Sequence, residues 1–151
     1  MMDPGRRRRR STCGQATVEV AMVGLLFVIT VIGMIDVGRA VWNYNTVAQA
    51  AREGARYAVV HGSRSSDPSG PGSSSFTAPD QDTKVTAIVR KNASGLDLDS
   101  LTVSAQWPDA TNERDARVKV TASYAFEPAF SHLLGLPSIT LTSSSIMKVA
   151  Y

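Results

Sequence analysis

Cysteine is almost missing from this chain: Cys13 is the only one in 151 residues, so no internal disulfide can form. Histidine is nearly as scarce, and His61 and His132 have no Cys or Glu at zinc-ligand spacing, which leaves no metal motif. No Gly-x-Ser-x-Gly elbow occurs. Gly70-Pro71-Gly72 is followed neither by Lys-Ser/Thr nor by an opening helix, which excludes a phosphate loop. The close acidic pairs, Asp80 with Asp82 and Asp97 with Asp99, fall at loop or cap positions where Asp serves turns rather than calcium. Asn92-Ala93-Ser94 fits a glycosylation acceptor, a triplet that also arises by chance. With no convergent chemistry, the chain is expected not to be an enzyme and to need no cofactor or metal.

Positive charge is missing from most of the chain as well. The whole sequence has 16 basic and 13 acidic residues, but removing Arg6 to Arg10 and Asp3 leaves 11 basic and 12 acidic, a net −1 over residues 15–151. The basic balance belongs to the leader alone. A nucleic-acid partner is therefore not expected, since phosphate binding needs positive charge on the folded part.

What is present is one long apolar run. Residues 16–35 are apolar or small apart from Thr17, Glu19 and Thr30, and as a helix of about 1.5 Å per residue they span roughly 30 Å of hydrocarbon. One membrane crossing follows. Five consecutive arginines precede it and only Arg39, Arg52 and Arg56 follow closely, so the amino terminus is expected in the cytoplasm and the rest outside, as a single-pass protein of the plasma membrane. A lipoprotein is excluded because Cys13 precedes the apolar region. Secretory and twin-arginine signals are disfavoured because no small-x-small cleavage site follows that region.

Glu19 is the anomaly inside the apolar segment. A carboxylate costs about 2.5–3.5 kcal/mol at a bilayer centre and less near the edge, so at this depth it is tolerated but invites a partner. Proteolysis between Gly14 and Gln15 would create an α-amine at the membrane edge, able to pair with Glu19 of the same or a neighbouring subunit and so fix packing register.

Beyond the hydrocarbon the helix is expected to continue. Asp36 and Arg39, three apart, can pair at the outer interface, where Trp42 and Tyr44 also suit the headgroup level. Tyr44, Ala48, Ala51, Ala55 and Ala58 then recur at spacings of four and three, drawing one narrow stripe for close packing. Gly38 and Gly54 are weak points in the rod, costing roughly 1 kcal/mol each relative to Ala. The helix should end at His61-Gly62.

Three ordered blocks, Gly14-Gln15-Ala16-Thr17-Val18-Glu19-Val20, Ile35-Asp36-Val37-Gly38-Arg39 and Ala50-Ala51-Arg52-Glu53-Gly54-Ala55-Arg56-Tyr57-Ala58, resemble the amino-terminal signature of TadE-like pseudopilins. The resemblance spans about residues 14–61, and Val20 departs from the aromatic residue that often follows the Glu. It implies cleavage after Gly14 by a prepilin peptidase and a place in the tight adherence (Tad, or Flp) pilus machinery. Its implied partners are other pilins or pseudopilins, the inner-membrane assembly platform and membrane lipid.

The implied fold is pilin-like α+β, with a long helix against a small antiparallel sheet of about three strands and one short extra helix. Residues 1–14 form the cleaved leader, 15–61 the long helix, 62–82 a Ser/Gly/Pro-rich linker and 83–151 the outer domain. In that domain Asp82-Thr83 should cap a helix with Val85, Ile88 and Val89 on one face. Leu101, Val103, Ala105 and Trp107, then Val118, Val120, Ala122, Tyr124 and Phe126, alternate with polar residues as in strands, joined by the polar loop Pro108 to Asp115. Phe130 to Leu134 should make one helical turn, and Ile139, Leu141, Met147, Val149 and Tyr151 share the parity of a last strand. The leading expectation is a minor pseudopilin. Two alternatives are an uncleaved single-pass anchor presenting an extracytoplasmic binding module, and a pseudopilin of a secretion or DNA-uptake system.

Overall fold

The computed structural model describes residues 13–70, 73–77, 84–129, 131, 135 and 137–150. Helix α1 runs unbroken over Cys13–Val60, starting before the expected Gln15 or Ala16. The chain divides into two units between Ile35 and Asp36.

The first unit is the leading part of α1. Every described side chain from Gly14 to Val31 is exposed, among them Val18, Val20, Met22, Leu25, Leu26 and Phe27. A helix that is apolar all round and meets nothing in its own chain needs an apolar solvent or other helices. The helix is long and apolar enough to cross a membrane. Thr30 returns its hydroxyl to the Leu26 carbonyl at 2.8 Å, which satisfies that polar group within the helix itself.

The second unit is α+β. Strands β1 (Ser73–Thr77), β2 (Leu101–Gln106), β3 (Arg117–Phe126) and β4 (Ile139–Lys148) form one antiparallel sheet in sequence order. Helix α2 (Lys84–Asn92) precedes β2, with a 3-10 turn at Leu98–Ser100 between them. The α+β class expected from the sequence holds, with a fourth strand added. Ser73-Ser74-Ser75-Phe76-Thr77 shows no apolar alternation, and it becomes a strand through pairing with β2, from Ser73 opposite Gln106 to Thr77 opposite Thr102.

The core explains the alternation elsewhere. Leu101, Val103 and Ala105 of β2 and Val118, Val120 and Ala122 of β3 all point inward and are buried. Val85 and Val89 of α2 and Val47, Ala50, Ala51, Ala55 and Ala58 of α1 complete the same cluster. Gly54 sits at its tightest point. A Cβ there would lie 2.4 Å from Val89 and 3.3 Å from Val120, so glycine lets α1 lie close against both α2 and β3. The residue read from the sequence as a weak point in the rod is a packing requirement.

The carboxyl end is stitched down by backbone. Val149 N donates to the Ala116 carbonyl, Asp115 N to the Val149 carbonyl, and Ala150 N to the Val59 carbonyl of α1. Val149 is thereby buried, while Ile139 at the start of β4 is 52% exposed. The expected cap at Asp82-Thr83, His132, Tyr151 and, apart from Ser131, the turn at 130–134 lie outside the described residues.

Candidate functional site

Gly14, Gln15 and Glu19 are all exposed on α1. Gln15, Glu19, Met22, Val23 and Leu26 line one shallow surface, as residues four and three apart must. Glu19 also borders a second apolar hollow with Val20, Val23, Gly24 and Phe27. Among the described residues, a Cβ added at Gly24 or Gly33 would meet no atom within 4 Å, so none of them uses their small size. The unit thus presents Glu19, with Gln15 one turn before it, among apolar side chains that are exposed among the described residues.

Asp36 and Arg39 are brought together at 3.0 Å, with the carboxylate nearly buried and the guanidinium about half exposed. Asp36 does more than pair along the helix. Its second oxygen accepts a 2.8 Å hydrogen bond from Ala129 N, and the Arg39 guanidinium lies 5.4 Å from the centre of the Phe126 ring. One acid and one base therefore tie this stretch of α1 to the end of β3 by a charge-assisted hydrogen bond and a cation–π contact. The pairing with Arg39 is readable from a spacing of three. Phe126 and Ala129 are not, because they come about ninety residues later.

Along the expected stripe Ala48, Ala51, Ala55 and Ala58 are buried, whereas Tyr44 is 47% exposed. Tyr44 points to the same side by helical angle, but it lies one turn before Val47, where the buried cluster begins. Asn43, Val47, Ala50 and Gly54 widen the stripe into a two-row face, which a single alanine row does not reveal.

A polar hub closes the far end of α1. Asn112, buried to 2% exposure, donates to the carbonyls of His61 and Gly70 at 3.2 and 3.3 Å and accepts from Trp107 Nε1 at 3.2 Å. Ser69 also donates to the His61 carbonyl, at 2.9 Å. These bonds satisfy the His61 carbonyl, just past the helix end, and the Gly70 carbonyl of the following loop. His61 stacks on Tyr57 with ring centres 3.9 Å apart. Trp107 covers Gly70 so closely that a Cβ there would lie 2.4 Å from its ring. The glycine that superficially matched a phosphate loop is the seat of a tryptophan.

Arg117, the first residue of β3, donates to Asp109 of the β2–β3 loop through Nε at 3.1 Å, Nη2 at 2.6 Å and its backbone N at 2.8 Å. The guanidinium hydrogen bond, helped by the backbone N–H, holds the Asp109 carboxyl down at about 2 and raises Arg117. Asp97 behaves as a turn residue, accepting from Asp99 N and the Ser100 hydroxyl. Among the described residues no three His, Cys, Asp or Glu side chains gather in one place.

The model of the TadE-like protein family matches residues 14–56. No curated protein and no solved structure matches the chain. The match begins at Gly14, contains all of the first two sequence blocks and most of the third, and ends within the buried part of α1. Over residues 14–56, somewhat under a third of its length, the chain is similar to TadE-like proteins.

Proposed function

We propose that the protein is a minor pseudopilin of the Tad pilus, inserted with its amino terminus in the cytoplasm and cleaved after Gly14 by a prepilin peptidase. The observation that carries this reading is a coincidence of positions. The TadE-like segment begins at Gly14, the junction between the arginine leader and the apolar helix. Cleavage would expose the amine of Gln15 one helical turn before Glu19. An amine and a carboxylate at low dielectric attract strongly, so the pair would favour one axial register among neighbouring helices. The open apolar surface around Glu19 supports packing against another subunit. The role is structural, and the chain is the substrate of an enzyme rather than a catalyst. Its partners would be the peptidase, other pilins or pseudopilins, the assembly platform and membrane lipid.

Intact-mass analysis of the protein from pilus-producing cells tests this directly. A mature chain beginning at Gln15 is expected; a chain that keeps its arginines while pili form normally defeats the proposal.

A further inference from the structure

The face of the sheet turned away from the helices carries a regular array of hydroxyls. Outward positions follow from the burial alternation: Thr102, Ser104 and Gln106 of β2, alternate residues from Arg117 to Ala125 of β3, and alternate residues from Thr140 to Lys148 of β4. None of these side chains is buried. The strand register aligns them in rows. Thr102 stands opposite Ser123 and Ser123 opposite Thr142; Ser104 stands opposite Thr121 and Thr121 opposite Ser144. Strand spacing puts neighbours in a row about 4.8 Å apart and successive rows roughly 6.7 Å apart. Ser123 and Thr142 are in hydrogen-bond contact at 2.9 Å.

The next row is Gln106, Lys119 and Ile146, and beyond it stand Arg117 and Lys148. No Asp or Glu occupies an outward position of β2, β3 or β4. Arg117 is engaged by Asp109, whose carboxylate also feels the charge of Lys148, while neither Lys119 nor Lys148 forms an ion pair within 4 Å among the described residues. The face therefore offers two rows of neutral groups that both donate and accept, then positive charge at one end.

We infer that this face binds an acidic polysaccharide. Polyol hydroxyls suit Ser and Thr in either hydrogen-bonding role, and short side chains, with Thr stiff at χ1, lose little freedom on binding. Carboxylates spaced along the polymer complement Lys119 and Lys148. A single-stranded nucleic acid fits less well, because its bases call for aromatic platforms and no outward position on β2 to β4 is aromatic. The inference goes beyond the pseudopilin reading and is independent of processing at Gly14.

The test is binding of the full chain with Arg6 to Arg10 replaced by Gln, so that the leader offers no polyanion site, in detergent micelles to immobilised polygalacturonate, with dextran and single-stranded DNA as competitors. The protein should be retained and displaced poorly by either competitor. Lys119→Glu with Lys148→Glu should weaken retention at least about tenfold, and Thr121→Val with Ser144→Ala should weaken it several-fold, both with unchanged thermal unfolding. Lys119→Gln with Lys148→Gln carries the same test if charge reversal disturbs the sheet. Absence of retention overturns the inference. So does unaltered binding by either double variant, or displacement by single-stranded DNA as effective as by free polygalacturonate.

Discussion

At the scale of single residues, three carboxylates have different environments and hence different consequences. Glu19 is exposed on an apolar surface, so Glu19→Ala should insert as well as the parent, or better, while lowering the yield of assembled pili; unimpaired piliation would remove its proposed role. Asp36 is nearly buried and accepts from both Arg39 and Ala129 N, so Asp36→Ala removes the acceptor of both donors and should cost about 1–3 kcal/mol, visible as a lower Tm. Asp109 is solvent-exposed, and its carboxyl is depressed from 3.8 to about 2 by the Arg117 hydrogen bonds. A depressed acid stabilises the fold above its ordinary value and loses that contribution as pH falls through the folded one. Comparing thermal unfolding of the parent and Asp109→Asn should therefore show a difference at neutral pH that shrinks between pH 3.8 and about 2.

At the scale of elements, Gly54 separates local preference from packing. In an isolated helix Gly54→Ala would gain roughly 1 kcal/mol. Here the new Cβ meets Val89 at 2.4 Å and Val120 at 3.3 Å, and overpacking of this kind costs typically 1–3 kcal/mol. The expected result is a net loss of stability in thermal unfolding, and a stabilised Gly54→Ala would show that α1 and α2 can part without cost at this point. Gly24→Ala is the control, since among the described residues nothing lies within 4 Å of the Cβ it would add. The same element shows how far periodicity can be read. Alanines at 48, 51, 55 and 58 mark the buried side, but Tyr44, which fits the same period, is 47% exposed while its neighbour Asn43 is buried.

For the whole molecule, the proposal is a change of covalent state. Cys13 is the only cysteine and lies on the leader side of the Gly14–Gln15 bond. A maleimide applied under denaturing conditions should label the precursor and leave the mature protein unlabelled. Gly14→Leu should keep the label on all of the protein, because a bulky side chain there is expected to block the peptidase; normal loss of label in that variant would contradict processing at this bond.

The sequence by itself determined the features that depend on neighbours along the chain. A run of apolar residues suffices to specify a helix fit for a bilayer, alternation suffices for β2 and β3, and a spacing of three suffices for Asp36 with Arg39. Tertiary structure alone decided the rest: β1 as a strand, Gly54 as a junction, Asn112 as the hub joining His61, Gly70 and Trp107, and Ala129 as the second partner of Asp36. Each of these joins positions far apart in sequence, where no local period records the contact, and it is the folded backbone that brings their atoms within bonding distance.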